Sequence, residues 1–290
     1  MGPRASPGQG LGARDLRVEP GGAAGRGPSP PQSLAAPVTP PWSRGPAPSL
    51  SPMGYALLSG TRQGDPRRRV ANGGGNVIGQ FSSAKSPRPL QYESLLEFHH
   101  LICFEWDPDV LEVYDQPFSI PVTARSRRRG RHIPDFLVVT ARGPSLIEVK
   151  PRHRWDRDEL LRRRTDLATQ WAEAEGFFYA VLTEDMLPEQ PVLENLVFLA
   201  SFRHAPANLA EMKHHVLDMV RECPGITPWA LGDRLGHPEI VVAAVWHLVW
   251  THGLRIDLAA ERLRSGAQHR IQLYPGEGAS TCIPSAGKSD

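Results

Sequence analysis

Two acidic residues and a lysine stand out in the middle of the chain. Asp135 directly precedes one apolar run, and Glu148 and Lys150 lie within a second apolar run, one predicted turn later. Side chains alternate between the two faces of a β-strand. Glu148 and Lys150 are therefore predicted to share one face, while Ile147 and Val149 point into the core.

The pairing of these two runs decides what the three residues can do together. If the runs form a hairpin, Asp135 lies near Glu148, and the two carboxylates form an oxygen site that suits Mg²⁺. Such a site can polarise a phosphodiester and lower the pKa of a bound water, while Lys150 orients the water or stabilises negative charge. The alternative is a turn-capping aspartate and a solvated strand face. The apolar surroundings of all three residues favour the catalytic interpretation.

Helical and strand-like patterns alternate around these residues. Helices are predicted at residues 92–105 and 155–175, the second ending at Gly176. Strands are predicted at residues 110–114, 118–123, 133–140, 145–150, 177–183 and 192–200. This order predicts an α/β domain over residues 90–204, with a mixed sheet flanked by helices.

The first 89 residues are rich in Pro, Gly, Ser, Ala and Arg and contain few aliphatic side chains. Such a composition buries too little apolar surface to offset the entropy of ordering. Residues 1–89 are therefore predicted to be a disordered arm. A start codon assigned too early would look the same, and composition does not separate it from a genuine arm that carries Arg67, Arg68 and Arg69.

A second, smaller unit is predicted at residues 205–275. Helical patterns at residues 209–221, 227–235 and 238–252 precede strand-like patterns at 254–258 and 269–273, which predicts a winged-helix-like α+β domain. Its third helix is apolar and lacks Lys and Arg, which favours packing or a protein partner over base reading. Residues 276–290 are predicted to be a flexible tail.

The chain is nearly neutral, with a formal net charge of +2, so DNA binding would depend on local basic patches. One patch leads directly into the strand of Asp135, and we expect it to contact DNA phosphates. A solvated loop is the alternative. The patch consists of Arg125, Arg127, Arg128, Arg129 and Arg131.

Cysteine spacing and hydropathy exclude several other classes. Cys103, Cys223 and Cys282 lie far apart, which indicates neither a disulfide framework nor a zinc site. No run approaches the roughly 18 apolar residues of a membrane span, and the first residues lack the apolar stretch of a secretory signal. We therefore expect a cytoplasmic protein with no membrane partner.

Several short motifs recur in the order of a known family. They are ESLLE (93–97), FEWDPDV (104–110), YDQP (114–117), PDFLV (134–138) and IEVKP (147–151). With these motifs the chain resembles the TnsA-type endonuclease subunit of heteromeric transposases, over roughly residues 92–183. The resemblance implies a restriction-endonuclease-like fold of the PD-(D/E)xK kind.

The resemblance also implies a role for the first helix of this region. An acid on that helix completes the active site in the family, and Glu97 occupies the matching position beside Asp135, Glu148 and Lys150. The expected metal ligands are Asp135, Glu148, Glu97 and, through its backbone, Val149. The expected cofactor is Mg²⁺, for which Mn²⁺ can substitute.

A protein of this family is expected to cleave one DNA strand, at the 5′ ends of a transposon. The implied partners are transposon-end DNA, a DDE-type transposase subunit that acts on the 3′ ends, and an AAA+ ATPase regulator. The C-terminal unit is then expected to dock other transposition proteins. Two alternatives remain: a stand-alone nuclease of defence or repair, and a non-catalytic DNA-binding assembly protein, against which the intact site argues.

Overall fold

The computed structural model describes residues 49–63, 77–123, 129–207, 209–264 and 266–276. Short 3₁₀ helices occupy Glu184–Met186, Ala200–Phe202 and Ala267–His269. The other elements within the described residues, in chain order, are α1 (Pro52–Gln63), β1 (Gly79–Phe81), β2 (Leu90–Tyr92), α2 (Leu95–Trp106), β3 (Val110–Asp115), β4 (Ile120–Thr123), β5 (Arg129–His132), β6 (Phe136–Thr140), β7 (Gly143–Val149), α3 (Arg152–Arg157), α4 (Glu159–Glu175), β8 (Phe178–Leu182), α5 (Val192–Leu199), α6 (Leu209–Glu222), α7 (Pro228–Leu235), α8 (Pro238–Trp250), β9 (Leu254–Arg255) and β10 (Tyr274–Pro275).

Residues 90–204, which contain the resemblance to nucleases, are called the nuclease-like region below. A four-stranded sheet in the order β3-β6-β7-β8 forms its centre. β6 pairs antiparallel with both β3 and β7, whereas β7 and β8 run parallel. The parallel pair requires a crossover, which α3 and α4 provide. The predicted mixed sheet flanked by helices is thus confirmed.

Alternation along β6 places its side chains in two separate cores. Phe136 and Val138 pack with α2 residues such as Ile102 on one face. Leu137 and Val139 pack on the other face, against residues of α1 and α4. Helices cover both faces, and the strand is apolar from Phe136 to Val139, which is the pattern of a central strand.

Helix α1 is a folded part of the segment that was predicted to be a disordered arm. Leu58 is only 6% exposed and packs in the same core as Leu137 and Phe177. The backbone N–H of Ser51 donates to the carbonyl of Glu175 at 3.1 Å. The prediction of disorder is therefore wrong for residues 49–63, because tertiary packing stabilises a segment whose composition is unfavourable. β1 also lies within the predicted arm, and it pairs with β2, which begins directly after the arm. Residues 1–48 and 64–76 of the predicted arm lie outside the described residues.

Three other element predictions are wrong. The segment Val192–Leu199 is a helix instead of a strand. The predicted helix 155–175 is interrupted at Asp158, whose backbone is extended and whose carboxylate caps α4 by accepting from the N–H of Leu161. The basic patch was expected to be a loop between the strands predicted at 118–123 and 133–140, but Arg129–His132 is a strand that pairs with β4.

The C-terminal unit contains three helices, α6 to α8, and a short antiparallel pair, β9 and β10. The second strand lies at Tyr274–Pro275, later than predicted, because a 3₁₀ helix at Ala267–His269 occupies the start of the predicted strand. The winged-helix assignment stays a prediction. Among the described residues, none of the helices combines the length and the apolar character needed to cross a membrane.

The core is continuous between this unit and the nuclease-like region. The rings of Trp106 and Trp250 meet edge to face with centroids 5.2 Å apart. Asn195, on α5, donates to the carbonyls of Leu258 and Glu261 and accepts from the N–H of Leu263. The C-terminal unit therefore supports the α2 and α5 side of the sheet.

Candidate active site

The register of β6 and β7 brings Asp135 to the end of the neighbouring strand. Phe136 lies opposite Ile147, so Asp135 and Glu148 are at adjacent positions on paired strands. Asp135 Oδ2 accepts from the backbone N–H of Val149 at 2.7 Å and from Lys150 Nζ at 3.1 Å. The predicted pairing of the two apolar runs is thus confirmed.

Three oxygen atoms converge on the ammonium of Lys150. Its Nζ lies 3.1 Å from Asp135 Oδ2, 2.7 Å from Glu148 Oε1 and 2.9 Å from the carbonyl oxygen of Val149. The backbone N–H of Lys150 donates to the carbonyl of Leu182 at 2.9 Å, which fixes the strand end against β8. The site therefore already holds one positive charge among two carboxylates and a carbonyl.

Glu148 is buried, with a relative exposure of 2%. Its Oε2 lies 3.1 Å from Nε2 of His132, yet this oxygen has no aligned hydrogen-bond donor among the described residues. The same nitrogen of His132 lies 2.9 Å from the hydroxyl of Tyr179. The second oxygen of Glu148 is thus buried and incompletely satisfied, as expected for an atom that ligates a cation.

Burial and charge act in opposite directions on the titration of this cluster. Burial, followed by repulsion from Glu148, raises the pKa of Asp135. Burial also works to raise the pKa of Glu148, but the contacts with His132 and Lys150 outweigh it and lower this pKa. The two carboxylates outweigh the burial of Lys150 and raise its pKa. The cluster therefore keeps Lys150 charged and gives the two carboxyl groups pKa values that move in opposite directions.

Glu97 occupies the first turn of α2, where it takes part in a capping arrangement. Its backbone N–H donates to Ser94 Oγ at 3.1 Å, and its Oε2 accepts from the backbone N–H of Glu93 at 2.7 Å. Burial, and then the nearby charge of Asp135, raise the pKa of Glu97 to about 7. The structure thus places Glu97 within electrostatic reach of Asp135 but engages it in a helix cap.

Gln116 connects the start of α2 to the start of β6. Its backbone N–H donates to the carbonyl of Asp135 at 2.8 Å, and its side-chain amide donates to Glu93 at 2.7 Å. Gln116 has a positive φ of 41°, an uncommon conformation for a residue other than glycine. Since the backbone N–H of Glu93 in turn donates to Glu97 Oε2, Gln116 of the YDQP motif links the cap of α2 to the start of β6.

The oxygen donors fit a hard divalent cation in part. No three His, Cys, Asp or Glu side chains gather as a ready-made metal site in the part of the chain that the structure describes. Two carboxylates and the carbonyl of Val149 nevertheless surround one cation position, and Glu148 Oε2 is buried without an aligned donor. Such donors suit Mg²⁺. The roles of Asp135, Glu148, Val149 and Glu97 as ligands stay predictions.

The predicted DNA-binding arginines are mostly beyond what the structure describes. Arg125, Arg127 and Arg128 lie outside the described residues, and Arg129 is described only as part of the backbone of β5. Arg131 is exposed and donates through Nε to Ser119 Oγ at 2.9 Å. DNA contact by this patch stays a prediction.

The sequence places His132 beside the Asp135 motif, where it could contact DNA or a metal-bound water, but it does not single out Tyr179. His132 reaches Glu148 from β5, and the hydroxyl of Tyr179, on β8, contacts the same nitrogen of His132. Local spacing contains no signal for this contact, because it depends on how the β4–β5 ribbon packs on the sheet. Glu105, near the end of α2, is buried and accepts from the backbone N–H of Ala84 at 2.7 Å.

Taken with the fold, this arrangement of an acid before one strand and Glu-x-Lys at the end of its neighbour is consistent with a nuclease. A family model described as TnsA-like endonuclease N terminal matches residues 107–184. The matched segment contains Asp135, Glu148 and Lys150, and the match confirms the predicted resemblance to TnsA-type endonucleases. It indicates a nuclease of the transposase type. No curated protein matches the chain significantly.

Proposed function

We propose that the chain is the endonuclease subunit of a heteromeric transposase. It hydrolyses one of the two DNA strands at each end of the transposon, at the 5′ end of the element. Mg²⁺ is the proposed cofactor, and Mn²⁺ can substitute for it. The observation that carries this proposal is the convergence of Asp135, Glu148 and Lys150 within the segment that matches the TnsA-like endonuclease family.

Asp135, Glu148 and the carbonyl of Val149 would hold the metal, with Glu97 completing the set. Mg²⁺ bound there would polarise the phosphodiester and lower the pKa of a water. The ammonium of Lys150 would then turn from these oxygens to the phosphate and donate to it, which would stabilise the negative charge that grows during the attack of the water. His132 limits the movement of the Glu148 carboxylate, since its Nε2 lies 3.1 Å from Oε2.

The proposed partners are transposon-end DNA, a DDE-type transposase subunit and an AAA+ ATPase regulator. We propose that the C-terminal unit, with a winged-helix-like arrangement, docks partner proteins and does not read bases. In support, most of the apolar residues of α8 are buried, among them Val241, Val245 and Trp246. A helix whose surface is mostly buried in the core of its own protein cannot enter the major groove of DNA.

Cleavage of transposon-end DNA tests the proposal, with the partner proteins present and with Mg²⁺, Mn²⁺ or EDTA. Asp135→Asn removes a proposed ligand charge, and Asp156→Asn makes the same change on the exposed surface of α3. We expect metal-dependent nicking that Asp135→Asn reduces by roughly 100-fold or more and Asp156→Asn leaves unchanged.

Equal inactivity of wild type and Asp135→Asn, with DNA binding retained by both, would support the non-catalytic assembly protein instead. Efficient cleavage without partners and without preference for transposon ends would support the stand-alone nuclease.

A further inference from the structure

Helix α3 follows the active-site lysine directly and contains no buried residue. Residues of α3 and the start of α4 line an open concave surface of about 420 Å³, which we name the α3 groove. The residues of the α3 groove are His153, Arg154, Arg157, Asp158, Glu159 and Leu160. Helical spacing places Arg154 and Arg157 on one face, because residues three apart are neighbours on a helix surface.

The acidic residues of the α3 groove are occupied by other contacts. Asp158 Oδ1 accepts from the backbone N–H of Leu161 at 2.9 Å, and Glu159 Oε1 pairs with Arg163 at 2.6 Å. Neither carboxylate is paired with Arg154 or Arg157.

Arg154 and Arg157 themselves have no acidic partner among the residues that the structure describes. Arg152, in contrast, pairs with Asp185 at 2.7 Å. Two exposed guanidinium groups thus remain available to an anion, and a planar guanidinium matches the oxygens of a phosphate.

The position of the groove indicates which anion it fits. The first turn of α3 is built on the residue after Lys150, since the backbone N–H of Arg154 donates to the carbonyl of Pro151 at 3.0 Å. With a helical rise of 1.5 Å per residue, the Cα atoms of both arginines lie within roughly 13 Å of the Cα atom of Lys150. This range is short enough for one DNA strand to reach both the groove and the active site.

We propose that the α3 groove binds backbone phosphates of the DNA strand next to the scissile bond, through Arg154 and Arg157. This inference rests on the proposed function and adds a DNA-binding surface separate from the basic patch before β6. Phosphate contacts fix the position and register of a duplex without reading its sequence.

The salt dependence of DNA binding tests the groove separately from catalysis. The full chain is titrated onto a labelled transposon-end duplex at pH 8 in EDTA, at several NaCl concentrations, with fluorescence anisotropy as the readout. The test variant is Arg154→Ala/Arg157→Ala. The control is Arg262→Ala/Arg270→Ala, which removes the same charge from arginines paired with Glu194 and Glu261.

The slope of log K against log salt is negative, and each lost phosphate contact makes it shallower by about 0.9. The slope of the groove variant is therefore expected to be shallower than that of wild type by about 1.8. At 0.1 M salt this corresponds to roughly 60-fold weaker binding, if affinity at 1 M is unchanged. The control variant is expected to keep the wild-type slope.

An unchanged slope in the groove variant overturns the proposal. So does an equal loss in the control, which would indicate a general effect of charge, and so does a wild type that does not bind the duplex. Because EDTA prevents cleavage, these outcomes differ from a failure of the proposed nuclease, which would show as DNA binding without metal-dependent nicking.

Discussion

Lys150 sits where a divalent cation would have to bind. Its ammonium contacts Asp135 Oδ2, Glu148 Oε1 and the carbonyl of Val149, which are oxygens of three proposed metal ligands. A metal ion bound by the proposed ligands would therefore compete with the ammonium for the same oxygens, and its binding would require Lys150 to turn away.

Lys150→Met is accordingly expected to bind Mn²⁺ more tightly than wild type at pH 8, even though it should lose cleavage activity. The substitution removes the competing charge and keeps the apolar stem of the side chain. Titration of Mn²⁺ followed by electron paramagnetic resonance measures the affinity directly. Lys213→Met removes a charge from an exposed position of α6 and should leave the affinity unchanged. Equal or weaker Mn²⁺ binding by Lys150→Met would contradict the competition.

Glu97 links folding stability to pH. Its pKa is raised from 4.5 to about 7, so between these values the folded chain binds more protons at this residue than the unfolded chain. The contribution of Glu97 to the free energy of unfolding therefore falls as pH rises from about 4.5 to about 7.

Glu97→Gln removes this dependence and keeps an oxygen that can accept from Glu93. In EDTA, the variant should gain stability relative to wild type on going from pH 5 to pH 8. Urea unfolding at the two pH values gives the difference. The exposed Glu173→Gln serves as control. A difference between Glu97→Gln and wild type that is the same at both pH values would rule out proton linkage through the Glu97 carboxylate.

The candidate active-site residues differ in how far the sequence could reveal them. Strand alternation predicted that Glu148 and Lys150 share a face, and the hairpin placed Asp135 beside them. Glu97 came only through the family resemblance, because no local pattern relates a helix to a distant hairpin. His132 acquires its contact with Glu148 through packing of a separate ribbon, which spacing does not encode.

At the scale of the elements, the errors have definite physical causes. Val192–Leu199 is apolar at most positions, and its period is ambiguous over so short a run. Its buried residues Val192, Leu196 and Leu199 nevertheless follow helical spacing. Helix α1 has poor local propensity, with two glycines in twelve residues, and depends on tertiary contacts.

Gly176 makes the contact between α1 and the end of α4 possible. Its φ is +84°, and a Cβ at this position would lie 2.2 Å from the carbonyl oxygen of Ser49 and 2.6 Å from the Cα of Leu50. A side chain here would be strained by the left-handed conformation and would also displace the backbone that precedes α1.

Gly176→Ala is therefore expected to lower the free energy of unfolding more than Gly236→Ala. Gly236 has a similar φ of +80°, but a Cβ added there would meet no atom within 4 Å. The control should lose about 1–2 kcal/mol from backbone strain alone, and Gly176→Ala roughly 1–3 kcal/mol more from the clash. Urea unfolding measures both. Equal losses would show that α1 does not dock against α4 as described.

At the scale of the whole molecule, the predicted boundary near residue 204 does not separate two cores. One cluster of buried residues extends from Ile102 and Phe136 in the nuclease-like region to Trp246 and Leu273 in the C-terminal unit. A domain is expected to have a core of its own. The described parts of the two units should therefore unfold together.

Asn195→Ala tests this coupling at its most buried polar contact. Asn195 is 1% exposed, and its loss would leave two carbonyls, of Leu258 and Glu261, and the N–H of Leu263 without this partner. We expect a loss of about 3 kcal/mol or more, since each unsatisfied buried group costs about 1–3 kcal/mol. Gln170→Ala, at an exposed position of α4, should change little.

Urea unfolding followed by tryptophan fluorescence and by far-ultraviolet circular dichroism distinguishes the possible outcomes. A single transition that shifts equally in both signals is expected for one cooperative unit. Two transitions, with only the earlier one sensitive to Asn195→Ala, would mean that the C-terminal unit folds independently of the sheet that carries Asp135 and Glu148. In that case the unit would contribute no support to the active site, and its proposed role would reduce to docking partner proteins.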